Sequence, residues 1–235
     1  MKILALDSTA IVGTVALCEN ERLVAHYTLN TGNTHSQTLL PMIESALRSA
    51  EWEIDDLDLF AVSRGPGSFT GVRIGVATVK GLAFGKNIPC AGVSTLEALA
   101  YNLRYFRGII CPVMNARRAQ VYNALFACKD GVLTRLCPDR AISIAELDEQ
   151  LCTMDQPVYL VGDGYDITLE NLVKTKVLPV PEELRYQSGY SVAMCGLAAY
   201  KKGLATDDAS LSVEYLRPSQ AERERNERLA NQNKS

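Results

Sequence analysis

The run Lys2-Ile3-Leu4-Ala5-Leu6-Asp7-Ser8-Thr9 opens the chain, and Ile109-Ile110-Cys111-Pro112-Val113-Met114-Asn115 opens its second half in the same way. Each is a short apolar run that stops at a polar residue, the signature of a buried strand. After the first run come strand-like segments at Val12 to Cys18 and Arg22 to Leu29, separated by the Glu19-Asn20-Glu21 turn. Thr34 to Ala50 then places Leu39, Ile43, Ala46, Leu47 and Ala50 on one helical stripe, with Pro41 in the opening turns. A strand at Asp58 to Ser63 enters Gly65-Pro66-Gly67-Ser68-Phe69-Thr70-Gly71, a helix runs to Gly85, Ile88 to Val93 is a strand and Thr95 to Phe106 a helix. The first half therefore reads βββαβαβα.

The second half repeats that order. A shift of 108 residues lays Ala16-Leu17 on Ala124-Leu125. Strands are expected at Ala119 to Ala127 and Val132 to Cys137, then a helix from Ser143 to Leu151 with Ser143 and Glu146 spaced as a capping box. Val158 to Val161 is a strand entering Gly162-Asp163-Gly164, followed by a helix at Tyr165 to Lys174, a short strand near Val177 and a helix at Ser191 to Lys202. Two βββαβαβα units predict an α/β protein of two duplicated domains, residues 1–107 and 108–216, with a charged tail at 217–235. This element order resembles the actin-like ATPase superfamily, in which two ribonuclease-H-like domains face each other across a nucleotide cleft.

The 235 residues are 47% hydrophobic and 22% charged, enough apolar material for such a pair of domains and too much for a disordered chain. With 24 Lys and Arg against 27 Asp and Glu, there is no basic footprint for a stand-alone nucleic-acid binder. Seven scattered Cys, the nearest two nine residues apart, make no zinc knuckle or redox pair and suit a reducing cytoplasm. Neither a targeting segment nor an apolar run long enough for a membrane span is visible.

Gly65 to Gly71 is the strongest local signal. A strand that ends in a glycine-rich turn opening a helix aims backbone N–H groups at one point, as an anion site does. The Walker pattern fails because Val72 follows Gly71, and the dinucleotide pattern fails because its third glycine comes one residue late. The alternative is packing: glycines at 71, 75, 81 and 85, with Ala77, leave a smooth flank for another helix. Both readings stay open on spacing alone.

The run Gly65 to Gly75, with Lys80-Gly81-Leu82-Ala83 and Gly92-Val93-Ser94-Thr95-Leu96-Glu97, closely resembles the bacterial TsaB (YeaZ) family. Supporting matches are Leu4 to Thr9, His35-Ser36-Gln37, Ala116-Arg117-Arg118 and Tyr215-Leu216-Arg217-Pro218. The resemblance implies a role in placing N6-threonylcarbamoyl on the adenosine next to the anticodon of tRNAs that read codons beginning with A. It implies a non-catalytic partner of the transferase TsaD, joined by the ATPase TsaE, able to form homodimers through the same face and touching tRNA only through the complex. The two helices after Thr34 and Gly71 would carry that face, through His35, Leu39, Ile43, Leu47, Gly71, Arg73, Gly75, Thr78 and Leu82. A vestigial phosphate site would comprise Asp7, Ser8, Thr9, Gly65, Gly67, Ser68, Arg117, Gly162 and Gly164. No metal site is expected, because Leu39 stands four residues after His35, where TsaD carries its second histidine. No cofactor is expected to be required, with weak ATP or ADP binding at a partner interface left open. The rival readings are an active ATP-dependent kinase or ATPase using Asp7, and a peptidase acting on TsaD.

Overall fold

The computed structural model describes residues 1–217. Strands β1 (Lys2–Asp7), β2 (Gly13–Glu19) and β3 (Arg22–Leu29) form an antiparallel meander. Helix α1 (His35–Ala50), β4 (Leu59–Gly65), α2 (Phe69–Ala83), β5 (Cys90–Ser94) and α3 (Thr95–Asn102) complete the first half. Strands β4 and β5 run parallel to β1, giving the order β3-β2-β1-β4-β5.

The second half comprises β6 (Gly108–Asn115), β7 (Gln120–Asn123), β8 (Phe126–Lys129), β9 (Val132–Arg135) and β10 (Arg140–Ser143). It continues with α4 (Ile144–Leu151), β11 (Val158–Val161), α5 (Tyr165–Asn171), β12 (Val177–Leu178) and α6 (Gly189–Lys201). Its parallel order β6-β11-β12 repeats β1-β4-β5, and β8 and β9 repeat the outer meander. The duplicated α/β architecture read from the sequence is therefore present.

The differences have local causes. The strand expected at Ala119 to Ala127 is broken at Ala124-Leu125 into β7 and β8, which pair with opposite ends of β6. Between those ends lies Pro112, which has no N–H to give a ladder. The buried Asn123 amide fills the gap, donating to the Pro112 and Ala124 carbonyls at 3.0 and 2.9 Å. Freed from the meander, β7 recruits β10, a strand the hydrophobic pattern does not announce. The capping box forms as its spacing predicts: Ser143 Oγ accepts from the Glu146 N–H, and Glu146 Oε2 accepts from the Ser143 N–H, both at 3.2 Å.

Side chains alternate across the first sheet. Leu4, Leu6, Val15 and Leu17 meet Leu39, Ile43 and Leu47 of α1 and Val72, Val76 and Val79 of α2. Ile3, Ala5, Ala16 and Cys18 face the other way, onto Val192, Ala193 and Leu197 of α6. The last helix of the second half thus packs on the first sheet, while Leu96, Leu99 and Leu103, from α3 and its end, enter the core of the second half. The tail expected from residue 217 lies outside the described residues except for Arg217, which donates to the Ala116 carbonyl at 3.3 Å.

The glycines of α2 separate into two kinds. A Cβ on Gly71 would stand 2.0 Å from the Ser8 carbonyl oxygen, and one on Gly75 would stand 2.6 Å from Ser8 Oγ, whereas one on Gly81 would meet nothing within 4 Å. Gly71→Ala should therefore lower stability by about 1–3 kcal/mol through overpacking. Gly81→Ala should raise it by about 0.5–1 kcal/mol, since an exposed helix glycine only adds backbone freedom to the unfolded chain. Denaturant midpoints of the two variants check this; a tolerated Gly71→Ala would contradict the close approach.

Candidate functional site

The C-terminal ends of β1 and β4 and the turn after β6 open on a cleft of about 780 Å³ between the two halves. Thr9, Gly67, Ser68, Arg117, Asp163 and Arg217 are among its lining. The location is the one the duplicated fold predicts for a ligand, at the carboxyl ends of parallel strands.

The candidate phosphate residues are arranged differently from a phosphate cradle. The Ser68 N–H donates to the Thr9 carbonyl at 2.7 Å, and Ser68 Oγ caps α2 by accepting from the Gly71 N–H at 3.3 Å. Ser8 Oγ donates to the Gly71 carbonyl at 2.8 Å. A Cβ on Gly67 would fall 2.5 Å from the Thr9 carbonyl oxygen, and one on Gly65 would fall 2.4 Å from the Glu214 carbonyl oxygen. The glycines of this turn thus admit neighbouring backbone, and two of its N–H groups are already bonded within the chain. These are contacts with the chain's own turn and strap, not with a second helix.

Asp7 is fully buried. Its Oδ1 accepts from both the N–H and the hydroxyl of Thr9 at 2.7 Å, while Oδ2 is enclosed near the Ser63 hydroxyl. Burial pushes the Asp7 carboxyl above the usual carboxylate range, against the lowering effect of the Ser63 hydroxyl, the Thr9 hydrogen bonds and His35. The side chain is a brace for the turn after β1 and offers no accessible oxygen to a bound metal or phosphate. In the second half, Gly162 adopts φ +113°, where a side chain would be strained and a Cβ would lie 2.2 Å from the Val113 carbonyl oxygen. Its N–H donates to Arg185 O at 2.7 Å, and the Gly164 N–H donates to Val113 O at 3.0 Å. Gly162-Asp163-Gly164 is therefore a backbone turn. Arg117 lines the cleft from a left-handed conformation, with φ of 64°.

The candidate interface residues fall into three groups. Leu39, Ile43 and Leu47 are buried against the first sheet, so the apolar stripe of α1 is core and offers nothing to a partner. Gly71 and Gly75 are likewise covered, by the turn after β1. His35 ties α1 to the β1–β2 hairpin through a 2.6 Å contact between Nε2 and the Ala10 carbonyl. Arg73, Thr78 and Leu82 remain at the surface or half-buried. Leu40, 48% exposed, and Phe84, 79% exposed, join them on the outer side of α1 and α2, and neither stands out in the sequence because both lie off the core stripe.

Sequence reasoning also missed the strap after α6. Thr206 bridges to Cys90 on the edge strand β5, and Lys80 Nζ donates to the Ala209 and Leu211 carbonyls at 2.9 and 3.0 Å. Tyr215 stacks on Phe69 with ring centroids 4.5 Å apart and accepts from Arg73 Nε at 2.6 Å. Only the Tyr215-Leu216-Arg217-Pro218 match hinted at this segment. Among the described residues no group of three His, Cys, Asp or Glu is placed to hold a metal ion, and no helix is long and apolar enough to cross a membrane.

Asp163 is the carboxylate that does reach the cleft. Burial, with Asp7 nearby, pushes it up from the usual 3.8 to about 6. Between those values the folded chain holds a proton that the unfolded chain has lost, so folding stability falls as pH rises through this window and is flat above it. Asp163→Asn should abolish that slope, gaining on the parent from pH 4 to 6 and keeping a constant advantage beyond. Parallel melting curves across pH 4 to 8 test it; an offset independent of pH would contradict the assignment.

The family model described as "TsaD: tRNA N6-adenosine threonylcarbamoyltransferase" matches residues 24–224. A protein of Bacillus subtilis (strain 168) named tRNA threonylcarbamoyladenosine biosynthesis protein TsaB is 35% identical over 233 residues, covering 94% of this chain and 96% of that protein. The solved structure of YeaZ from Pseudomonas aeruginosa superposes with a TM-score of 0.80 at 25% identity, covering 92% of this chain and 99% of that one. The ethanolamine utilization protein EutJ from Carboxydothermus hydrogenoformans has a TM-score of 0.50 at 12% identity over 83% of this chain and 89% of its own, a likeness of the actin-like fold alone.

Proposed function

This chain belongs to the TsaB family of tRNA threonylcarbamoyladenosine biosynthesis proteins, and on that premise we propose that it acts as a non-catalytic partner that docks TsaD and makes it competent. The observation that carries this reading is the outer flank of α1 and α2. Ala77 and Gly81 are exposed there, Ile74, Thr78 and Leu82 are half-buried, and Leu40 and Phe84 stand out at the edges. Small residues along one helix let a second helix approach closely, and apolar side chains on either side supply the area to be buried. Two copies of this flank form a compact four-helix contact, so the homodimer and the complex with TsaD compete for it. TsaE joins the assembled pair, tRNA is reached through the complex, and the work is done in the cytoplasm.

The cleft supports the non-catalytic part. An ATPase of this superfamily needs a carboxylate that can orient magnesium, and Asp7 is enclosed beneath the Thr9 turn. The chain needs no cofactor of its own in this reading, and weak ATP or ADP binding belongs to the interface with a partner.

Reconstitution of tRNA modification from TsaD and TsaE, with and without this chain, is the decisive experiment. The expected outcome is dependence on the chain without phosphate release by the chain alone; micromolar Mg-ATP binding with turnover abolished by Asp7→Asn would support the ATPase instead. Leu40→Asp and Ala77→Arg should each weaken pairing at least tenfold while leaving stability within about 0.5 kcal/mol, as surface substitutions do. Gel filtration and TsaD pull-down read the pairing, and an unaltered pull-down in both variants would remove the proposed face.

A further inference from the structure

On the opposite side of the first sheet from α1 and α2, the ends of α3 and α6 bring three tyrosines around one guanidinium. The Arg104 guanidinium carbon lies 4.6 Å from the centre of the Tyr101 ring, 4.4 Å from that of Tyr105 and 5.6 Å from that of Tyr190. Tyr190 is held by its hydroxyl, which donates to the Glu21 carbonyl at 3.1 Å. Tyr105 is 78% exposed, with one face of a large aromatic ring available to solvent. Among the described residues no carboxylate pairs with Arg104, whose side chain makes one long hydrogen bond, 3.5 Å, to the Tyr101 carbonyl.

A second feature borders the first. Arg107 precedes Gly108 and Lys129 follows Cys128, just beyond the last pair of the β6–β8 ladder; both are exposed, and no carboxylate pairs with either among the described residues. The turn that follows Lys129 reaches Tyr105, since a Cβ on Gly131 would lie 3.8 Å from its ring. Three cations thus border the rings, against Asp130 on that turn and Glu21, which stands 4.0 Å from Lys201.

We propose that this surface receives an unpaired stretch of RNA, with a base stacked on Tyr105 and phosphates held by Arg104, Arg107 and Lys129. Exposed aromatic faces beside unpaired guanidinium and ammonium groups are the chemistry of single-strand binding, where any base supplies a ring face and the backbone supplies the anion. The chain as a whole carries a net charge of -3, so the contact is a local one that adds to a partner's grip. The inference rests on the family's tRNA pathway, and its position leaves it accessible when the α1–α2 flank is covered.

The test uses a fluorescent 17-nucleotide anticodon stem-loop as probe, with the full chain alone and mixed with TsaD. Ultraviolet crosslinking should map to the peptide containing Tyr101 to Tyr105. Tyr105→Ala should lower the affinity of the mixture at least fivefold and Tyr105→Phe should restore it, because stacking needs the ring and not the hydroxyl. Arg107→Ala with Lys129→Ala should flatten the logarithmic salt dependence by about 1.4, or about 0.7 for each lost phosphate contact. Crosslinks confined to other peptides, or an affinity indifferent to Tyr105→Ala, would overturn the proposal, as would loss of a protein contact with RNA binding intact. Failure of the two proteins to associate would count against the docking reading instead, and the crosslink on the chain alone would still judge this one.

Discussion

The rest of the molecule hangs on the approach of α2 to the turn that follows β1. The Ser8 and Thr9 carbonyls sit where side chains on Gly71 and Gly67 would be, and the hydrogen bonds between Ser8 and Gly71 and between Ser68 and Thr9 lock the contact. That closeness lets Val72, Val76 and Val79 reach the same face of the sheet as Leu39 and Ile43 of α1. It also fixes how α2 lies beside α1, and so determines which of its residues are left outside. A backbone-to-backbone contact of this kind tolerates no Cβ, and its requirement for glycine is independent of any ligand.

The same contact engages groups that border the cleft. Phosphate binding needs free N–H groups at the start of a helix, and here the Ser68 and Gly71 groups point into the chain's own carbonyl and hydroxyl oxygens. Asp7 is drawn into the brace, with Oδ1 committed to Thr9 and burial keeping the carboxyl inclined to hold its proton. The cleft that remains is bordered by the strap residues Tyr215 and Arg217, which reach toward α2 and the turn after β6.

The duplication was legible because it is written in the order of apolar runs and turns, which depends only on the period of burial. The capping box at Ser143 and Glu146 was legible for a similar reason, since its spacing is local. The break between β7 and β8 was not, because it needs Pro112 on one strand and Asn123 on another to meet, a tertiary coincidence that no window of sequence contains. At the site, a glycine spacing says that something comes close without saying what. Gly71 and Gly75 receive the chain's own turn, whereas Gly81 faces open space. The α1 stripe misled in the same way: an amphipathic helix shows which of its faces is apolar, and Leu39, Ile43 and Leu47 point that face at their own sheet.

The two faces of the first sheet therefore have different outer surfaces. Over one lie α1 and α2, whose exposed flank is small and apolar, suited to another helical surface. Over the other lie α6 and the end of α3, whose outer edge carries tyrosines around Arg104. The exchange of helices between halves produces this division: because α6 crosses back to the first sheet, Tyr190 arrives beside Tyr101 and Arg104, which belong to the helix sent the other way. Neither half alone could assemble that cluster. The two proposed contacts, a protein on one side and RNA on the other, would therefore not compete for the same surface, because the first sheet stands between them.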